Sequence, residues 1–429
     1  MSPAATPHPL KTSARAIKNA LLLLPLMAIS LPSYAESFTA KRAGQGFTGI
    51  TQDFTSSLSN PALLTKFDDD DDVFLSLNLG AIGSEYKVIE TLGDVVDDLD
   101  DLVDEINDLP YQNFQNDAQK QAYYDSLYEQ VDVIVDDFNE IDEKIVRVSN
   151  GLNLQVIIPN KYLSLGLFTN QYGRYGGFVD YNQDDENVLD NAINNCIDSV
   201  NNANCNLNLD DLDSSTLAAG YSIAEVGFMA AYPVINHANY DLSIGAKLKY
   251  QRIDLYYNKA AVSDFDDDDY DLTTDDNLTD QSGTNVDLGM YTSWGDERQW
   301  TAALVLNNLM GQSVLLPEQN VSFDLDSSAT LGLSYQNTWV SLATEIDLTD
   351  REGFENLQAS KFAGIGAEFR LYEHFQFRLG YRADLNDVEE NIYTAGIGIS
   401  PWDVFAVDFA AFAGDNDTIG GALQLSLKL

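Results

Sequence analysis

The feature that most constrains the fold is a strict alternation of apolar with small or polar residues in many short segments. Leu423, Leu425 and Leu427, for example, are separated by single polar residues. A period of two places every apolar side chain on one face of an extended strand. We predict fourteen such strands. They span 73–81, 152–158, 161–170, 221–234, 240–257, 283–294, 298–308, 328–336, 338–348, 361–371, 374–382, 391–400, 403–413 and 419–429.

The lengths of the connections discriminate between folds that share this alternation. A β-sandwich or a secreted soluble β protein would alternate in the same way. Here the connections after odd-numbered strands are mostly long, such as 82–151 and 171–220, whereas 159–160 is typical of the short ones after even-numbered strands. Long loops at one end and tight turns at the other are typical of outer-membrane barrels. We therefore predict an all-β transmembrane antiparallel β-barrel of about 14 strands, with a soluble β fold as the alternative.

Composition excludes several other classes of protein. The chain has 68 acidic and 23 basic residues, a net charge of −45, so nucleic acid is not an expected partner. Beyond the N-terminal region no run of about 18 apolar residues occurs, which argues against a helical membrane protein. Two cysteines are too few for a disulfide-based scaffold.

The N-terminal residues have the three regions of a secretory signal peptide. Basic residues between positions 11 and 18 precede an apolar stretch at 20–31, and Ser33 and Ala35 are small. We predict that residues 1–35 are removed after export; a short membrane anchor is the alternative. The expected location is the outer membrane of a Gram-negative cell. The expected partners there are outer-membrane lipid, lipopolysaccharide and the barrel assembly machinery.

Aromatic side chains near strand ends are typical of the belts at membrane interfaces. Seven aromatic residues occupy such positions in the predicted barrel. They are Tyr162, Tyr232, Trp294, Trp300, Trp339, Phe375 and Trp402.

The apolar parity shifts within the predicted strand 240–257. Leu248 has the parity of the first half of the strand, whereas Ile253 has the opposite parity. One extra residue in a strand would cause this shift, so we predict a β-bulge near Gln251 or Arg252.

Charged residues on the inward parity predict a polar lumen. The eight residues are Lys247, Lys249, Glu345, Asp347, Glu368, Arg370, Arg378 and Arg382. Six of them lie on consecutive strands between 338 and 382, where three acids face three arginines. We predict a paired network there. Pairing for stability is one interpretation, and a selectivity filter is the other.

Two insertions occupy the longest loops. Within 86–148, apolar residues recur every three or four positions on both sides of Pro110, which predicts an amphipathic helical hairpin. This hairpin either packs on itself or contacts a partner. The loop 171–220 contains Cys196 and Cys205, and an oxidising exterior favours a disulfide between them. A metal site on the two cysteines is the alternative.

The residues offer little support for catalysis. His237 and His374 are the two histidines outside the predicted signal peptide, and both fall in predicted turns. The Asp runs 68–72 and 266–269 could attract Ca²⁺, but they lack the Gly and Glu spacing of an EF-hand loop. We therefore predict a protein that is not an enzyme, without a cofactor or specific metal site.

The segment before the first strand carries the most specific motif. It consists of Gly44, Gly46, Gly49, Asn60, Pro61 and Ala62. This motif resembles the N-terminal region of FadL-type long-chain fatty-acid transporters. The continuation, with an Asp run, one strand and an acidic helical hairpin, more closely resembles the outer-membrane family labelled conjugal transfer protein TraF. The resemblance implies that residues 36–72 fold as a hatch into a barrel formed by 73–429.

The resemblance also implies a function. We expect passive passage of small, hydrophobic molecules, gated by the hatch. The alternative is a non-transporting surface protein for adhesion or mating-pair contact. A periplasmic conjugation protein of the same name resembles thioredoxin, but this chain has no βαβ layout, so the conjugation role is treated as an inherited label.

Overall fold

The fold is described from a computed structural model that covers 38–67, 72–108, 114–198, 207–261, 277–371, 374–402 and 404–429. The predicted signal peptide, the Asp run 266–269, most of the run 68–72 and Cys205 lie outside the described residues.

Fourteen antiparallel strands form a closed barrel, which confirms the predicted fold class. The barrel strands are Phe74–Ser84 (β1), Val146–Ile158 (β2), Ser164–Asp180 (β3), Ser215–His237 (β4), Tyr240–Ala261 (β5), Leu278–Trp294 (β6), Trp300–Asn307 (β7), Ser328–Gln336 (β10), Val340–Asp347 (β11), Phe362–Leu371 (β12), Phe375–Asp384 (β13), Ile392–Ile399 (β14), Phe405–Gly414 (β15) and Ile419–Lys428 (β16). Closure is made by β1 and β16, which pair from Phe74 opposite Lys428 to Gly83 opposite Ile419. No barrel strand is left with an unpaired edge.

The two faces of the wall have opposite chemistry. On β13, Phe375, Phe377 and Leu379 are exposed on the outside, whereas Arg378 and Arg382 are buried inside. The same alternation on the other strands produces a broad exposed apolar surface, much larger than a soluble monomer normally shows. The seven aromatic residues singled out above are all exposed and all flank the short turns. We call this end of the barrel the turn end and the opposite end the loop end.

The connection between β7 and β10 contains structure that the sequence did not indicate. Between β7 and β10, Gln312–Leu316 (β8) and Val321–Leu325 (β9) form a separate two-stranded sheet. Val314, Phe323 and Leu325 on this hairpin are buried in an apolar cluster with side chains of the barrel wall. The strands have only five residues each, too few for a clear periodic signal.

The predicted bulge near Gln251 or Arg252 is wrong. The register between β4 and β5 is continuous at those residues, and it shifts instead between Pro233 and Ile235 on β4. Proline is tolerated at such irregularities because it has no N–H to donate to the ladder.

The parity shift on β5 has another cause. Ile253 and Leu255 are buried inside the barrel, whereas Arg252 is exposed outside. On the loop-end half of β5 the inward positions are therefore apolar, while the outward positions include charged residues. The apolar face changes sides without any change in register.

The insertion after β1 forms two helices, Tyr86–Asp108 (α2) and Asp117–Ile141 (α3), preceded in the chain by the short helix Ala40–Ala43 (α1). The Asn116 side chain caps α3 by accepting a hydrogen bond from the Gln119 N–H at 2.9 Å. Both helices pack with Asp184–Asp198 (α4) in an apolar cluster separate from those of the lumen. Among the described residues, no helix is long and apolar enough to cross a membrane.

Carboxylates crowd the seam between α2 and α3. Partial burial and the neighbouring Asp137, Asp94 and Asp101 raise the pKa of Asp98, and partial burial with nearby acids also raises the pKa of Asp137. The folded helices therefore bind these protons more tightly than the unfolded chain does. Lowering the pH from 7 through the raised pKa values stabilises the hairpin, and raising the pH removes this stabilisation.

We predict that Asp98→Asn stabilises the hairpin at pH 7 by about 0.2–0.5 kcal/mol per repulsive pair removed. Hydrogen exchange of α2 and α3 amides, corrected for the intrinsic effect of pH, measures the change. The gain in protection on acidification should also shrink. Asp125→Asn, on the exposed face of α3, is the control. Equal protection in both variants would contradict the repulsion argument.

Candidate functional site

The lumen is filled by the chain that precedes β1. Residues 38–67, which we call the hatch segment, lie inside the barrel and are mostly buried. The segment contains α1 and two 3₁₀ helices, Phe54–Ser56 and Pro61–Thr65. The second 3₁₀ helix packs on β4, β5 and β6, whereas α1 packs on β14, β15 and β16. The hatch segment therefore crosses the lumen from one wall to the other.

Asn60 organises the end of the hatch segment that meets β6. Its Oδ1 accepts a hydrogen bond from the Ala62 N–H at 3.0 Å, which caps the 3₁₀ helix. Its Nδ2 donates to the Ile50 carbonyl at 2.9 Å and to the Met290 carbonyl at 3.4 Å. Pro61 occupies the first helical position, where no N–H is needed. One amide thus joins two turns of the hatch segment to the wall.

Glycines of the wall receive this helix. Gly245 on β5 and Gly289 on β6 both point inward, and a Cβ on either would overlap Asn60, Pro61 or Ala62. The wall has no side chain where the hatch backbone approaches most closely.

A second set of wall glycines receives the opposite part of the hatch segment. Cβ atoms on Gly364 and Gly366 of β12, or on Gly380 of β13, would overlap the backbone of Gln45 or Gly46. Gly46 itself has φ +65°, in the left-handed region that favours glycine. A Cβ there would strike the backbone of β12 and β13.

The other two motif glycines also lie in tight contacts. A Cβ on Gly44 would be 3.0 Å from the Cα of Gly396, and one on Gly49 would be 2.9 Å from the Arg42 side chain. The Gly46 N–H donates to the Thr394 hydroxyl at 2.9 Å. All six motif residues thus lie where the hatch segment contacts the wall, and Gly49 also packs against Arg42 within the hatch segment.

Glu345 on β11 binds the hatch segment directly. Its Oε1 accepts hydrogen bonds from the N–H groups of Gly49 and, at 2.6 Å, Ile50. Its Oε2 lies 3.5 Å from the Arg42 guanidinium, and both side chains are buried. This predicted lumen residue therefore pairs with the hatch and not with a wall arginine.

Three of the predicted residues form one group near the turn end. Glu368 binds Arg370 at 2.9 Å and Arg378 at 2.8 Å. Arg378 continues to Asp408 at 2.5 Å. Charge-assisted hydrogen bonds of this kind are the stronger ones available to a buried group.

The remaining members of the predicted network lie nearer the loop end. Asp347 binds Arg351 at 2.7 Å. Arg382 lies 3.6 Å from Glu389, and its guanidinium stacks 4.4 Å from the Phe47 ring centre of the hatch segment. The six residues on β11–β13 thus belong to separate groups with different partners.

Lys247 and Lys249 lie on the opposite wall. Lys249 binds Glu225 and Asp287, each at 2.9 Å. Lys247 lies 3.4 Å from Asp287 and donates to the Leu58 carbonyl of the hatch segment at 2.5 Å. Both ammonium groups therefore have partners, one of them on the hatch.

Two charged cavities lie on either side of the hatch segment. The loop-side cavity has a volume of about 120 Å³ and the turn-side cavity about 280 Å³. Charged residues lining the first are Arg42, Arg174, Glu225, Lys247, Lys249, Asp287, Asp347, Arg351, Glu352 and Glu389. Those lining the second are Lys41, Asp53, Glu368, Arg370, Arg378, Asp408 and Lys428.

Aromatic packing near the loop end closes the lumen a second time. The rings of Tyr221 on β4 and Phe323 on β9 lie 4.4 Å apart, and Phe354 lies 6.0 Å from Phe323. Loops thus cover the interior from one side and the hatch segment fills it from within.

Several of these residues escaped the sequence analysis. Glu225, Asp287 and Asp408 have the inward parity of their strands, so the rule that found Glu345 could have found them. The inward glycines also have the inward parity of their strands, so the same rule could have identified them as lumen positions. Arg42 lies in the hatch segment, where no strand period exists to indicate its direction.

The candidate chemistry elsewhere does not join this site. His237 stacks on Tyr240 at the turn end, and neither this residue nor His374 lines a charged cavity. Within the described ranges, no group of three or more potential metal ligands occurs. Cys196 is buried on α4 and disulfide-bonded; the residue predicted as its partner, Cys205, lies outside the described residues.

Comparison with known proteins found one family and several similar folds. Residues 57–347 match the family model described as "F plasmid transfer operon, TraF, protein". No curated protein matches the sequence. A Pseudomonas aeruginosa FadL homologue is 10% identical over 93% of this chain and 99% of that chain, with a TM-score of 0.47. The Pseudomonas putida toluene transporter TodX is 11% identical over 92% of this chain and 99% of that chain, with a TM-score of 0.47. The monoaromatic hydrocarbon channel CymD is 12% identical over 90% of this chain and 96% of that chain, with a TM-score of 0.48.

We predict that Gly380→Ala loosens the hatch segment, because the new methyl group would overlap the backbone of Gln45 and Gly46. Overpacking of this kind costs about 1–3 kcal/mol. Limited proteolysis of the hatch and the midpoint of thermal unfolding measure the effect. Gly83→Ala is the control, since its nearest heavy atom would be 3.5 Å away. Equal resistance of the two variants would contradict the tight contact.

Proposed function

The chain belongs to the F plasmid transfer operon TraF protein family, and from its plugged barrel we propose that it is a passive outer-membrane channel held closed by the hatch segment. One observation carries this proposal. The lumen is filled by a separate segment of the chain lying against glycines of the wall, with a charged cavity on each side. A barrel needed only as a scaffold could be built from about eight strands, whose own side chains fill the interior.

The surface of the barrel supports the proposed location. Exposed apolar side chains cover the outside of the strands, and aromatic residues such as Trp339 and Trp402 mark the turn end. In outer-membrane barrels the short turns face the periplasm and the long loops face outward. By this rule α2 and α3 lie outside the cell. The predicted signal peptide agrees with export.

The nature of the cargo needs a separate argument. The family resemblance led us to expect small hydrophobic molecules. Both cavities beside the hatch segment are instead lined in part by charged groups, which a hydrophobic molecule could not solvate. The lining therefore supports small polar solutes better than hydrocarbons.

We predict that Asn60→Ala opens the channel, because it removes the hydrogen bonds to Ala62, Ile50 and Met290 that fix the hatch segment. Swelling of proteoliposomes in isotonic arabinose should be several-fold faster than with the unaltered chain. Asn116→Ala is a matched control, since Asn116 is also a capping asparagine but lies on the helical hairpin. A hatch that becomes sensitive to protease without faster swelling would refute the channel.

A second candidate function is surface contact between cells, by adhesion or mating-pair formation. The insertion 86–148 carries eighteen acidic and four basic side chains and packs with α4 in an apolar cluster separate from those of the lumen. Its acidic surface could meet a partner without taking part in passage.

Replacing 87–144 with a short Gly/Ser turn separates the two functions and retains the pairing of Ser84 with Arg147. Passage through an Asn60→Ala barrel should survive this excision, and cell-to-cell attachment should not change. Lost attachment with intact, heat-modifiable barrels would favour the contact function instead.

A further inference from the structure

We propose that small hydrophilic solutes pass along a glycine-lined strip of the wall on β11–β14, and that Glu345 is the latch that holds the hatch segment across it. This inference rests on the proposed channel function. It adds the route and the residue that controls access.

The strip is formed by inward positions that carry no side chain. Gly366 on β12 lies directly opposite Gly380 on β13, and Gly364 lies opposite Glu345 on β11. Gly396 on β14 is paired with the inward Arg378. These positions adjoin one another across four strands, and the hatch backbone from Gly44 to Ile50 occupies the space that side chains would fill.

The strip connects the two charged cavities. On β12, Phe362 lines the loop-side cavity and Glu368 lines the turn-side cavity, with Gly364 and Gly366 as the inward positions between them. On β11, Asp347 lines the loop-side cavity one inward position above Glu345. Removing the hatch backbone from this strip would therefore join two spaces that are already polar.

The hatch segment is held by both apolar and polar contacts. Its second 3₁₀ helix is anchored by an apolar cluster that includes Leu63 and Tyr291 on β6. Phe47 packs in a second apolar cluster with Phe412 on β15. The contact at Glu345 is polar, and among the described residues its Oε2 accepts no hydrogen bond. Polar contacts can be exchanged for water at lower cost than apolar ones, so the hatch segment should release first at Glu345.

The chemistry of the route selects hydrophilic solutes. A solute that passes Asp347, Glu345 and Glu368 meets carboxylates and their arginine partners at every level. An ion or a zwitterion can exchange water for these groups, whereas an apolar solute would leave them without solvent. The cavities of about 120 and 280 Å³ restrict the route to small molecules.

The first test concerns the latch. Glu345→Gln retains the shape of the side chain but removes the charge that binds two N–H groups and Arg42. We expect the open probability of the full chain, recorded in KCl across planar bilayers, to rise at least tenfold. Asp241→Asn is the matched control, because Asp241 is also a buried acid that accepts a backbone N–H and pairs with an arginine, but these partners, Ser293 and Arg298, lie outside the hatch segment. Equal conductance of the two variants would overturn the latch.

The second test concerns the route, in the Glu345→Gln background. Arg370→Glu reverses a partly exposed charge in the turn-side cavity, so the permeability ratio of K⁺ to Cl⁻ should rise several-fold. Lys161→Glu reverses an exposed charge in the turn between β2 and β3 and should leave the ratio unchanged.

The possible outcomes separate this inference from the channel function. Conductance in Glu345→Gln with no effect of Arg370→Glu would leave the channel standing and overturn the strip as its route. Absence of conductance in both Glu345→Gln and Asn60→Ala, with hatch segments that protease cleaves readily, would overturn the channel and the strip together.

Discussion

The pairing of β1 with β16 is the interaction on which the rest of the structure depends. It joins the ends of a fourteen-stranded sheet, so that each barrel strand has two neighbours. In a bilayer no water is present to satisfy an open edge, and a closed ladder is one of the two arrangements that can cross it. Closure then fixes the two faces of every strand. Apolar side chains must point to lipid, and everything polar must be accommodated in the lumen.

A lumen of fourteen strands is too wide to be filled by the side chains of its own wall. This chain fills it with the hatch segment and the loops that cover the loop end. The N–H and C=O groups of the hatch backbone are buried in the lumen, so they need hydrogen-bond partners inside the barrel. Glu345 supplies one such partner by accepting the N–H groups of Gly49 and Ile50, and Thr394 supplies another for Gly46. Inward glycines allow the two backbones to approach closely enough for these contacts.

The sequence predicts the barrel well because its signal is local. The alternation around Phe375, Phe377 and Leu379 can be read without any knowledge of neighbouring strands, and each of the fourteen predicted segments corresponds to a barrel strand. Partners inside the lumen could not be predicted in this way. Glu345 and Gly49 are 296 positions apart, so parity shows that Glu345 points inward but not what it meets. Apolar parity gives the wrong answer at Ile253. The shift in parity there predicts a bulge, but the register is continuous and the interior of the barrel has become apolar on this strand.

The independence of wall and contents means that the proposed opening would leave the barrel intact. The ladder of the barrel satisfies its own backbone groups, so moving the hatch segment breaks no hydrogen bond between strands. The glycines at 364, 366 and 380 have no side chains with which to fill the vacated space. Water would enter instead and solvate Glu345, Arg42 and the hatch N–H groups. In the proposed mechanism, displacing the hatch segment would therefore leave a polar passage inside a wall whose strand ladder remains closed.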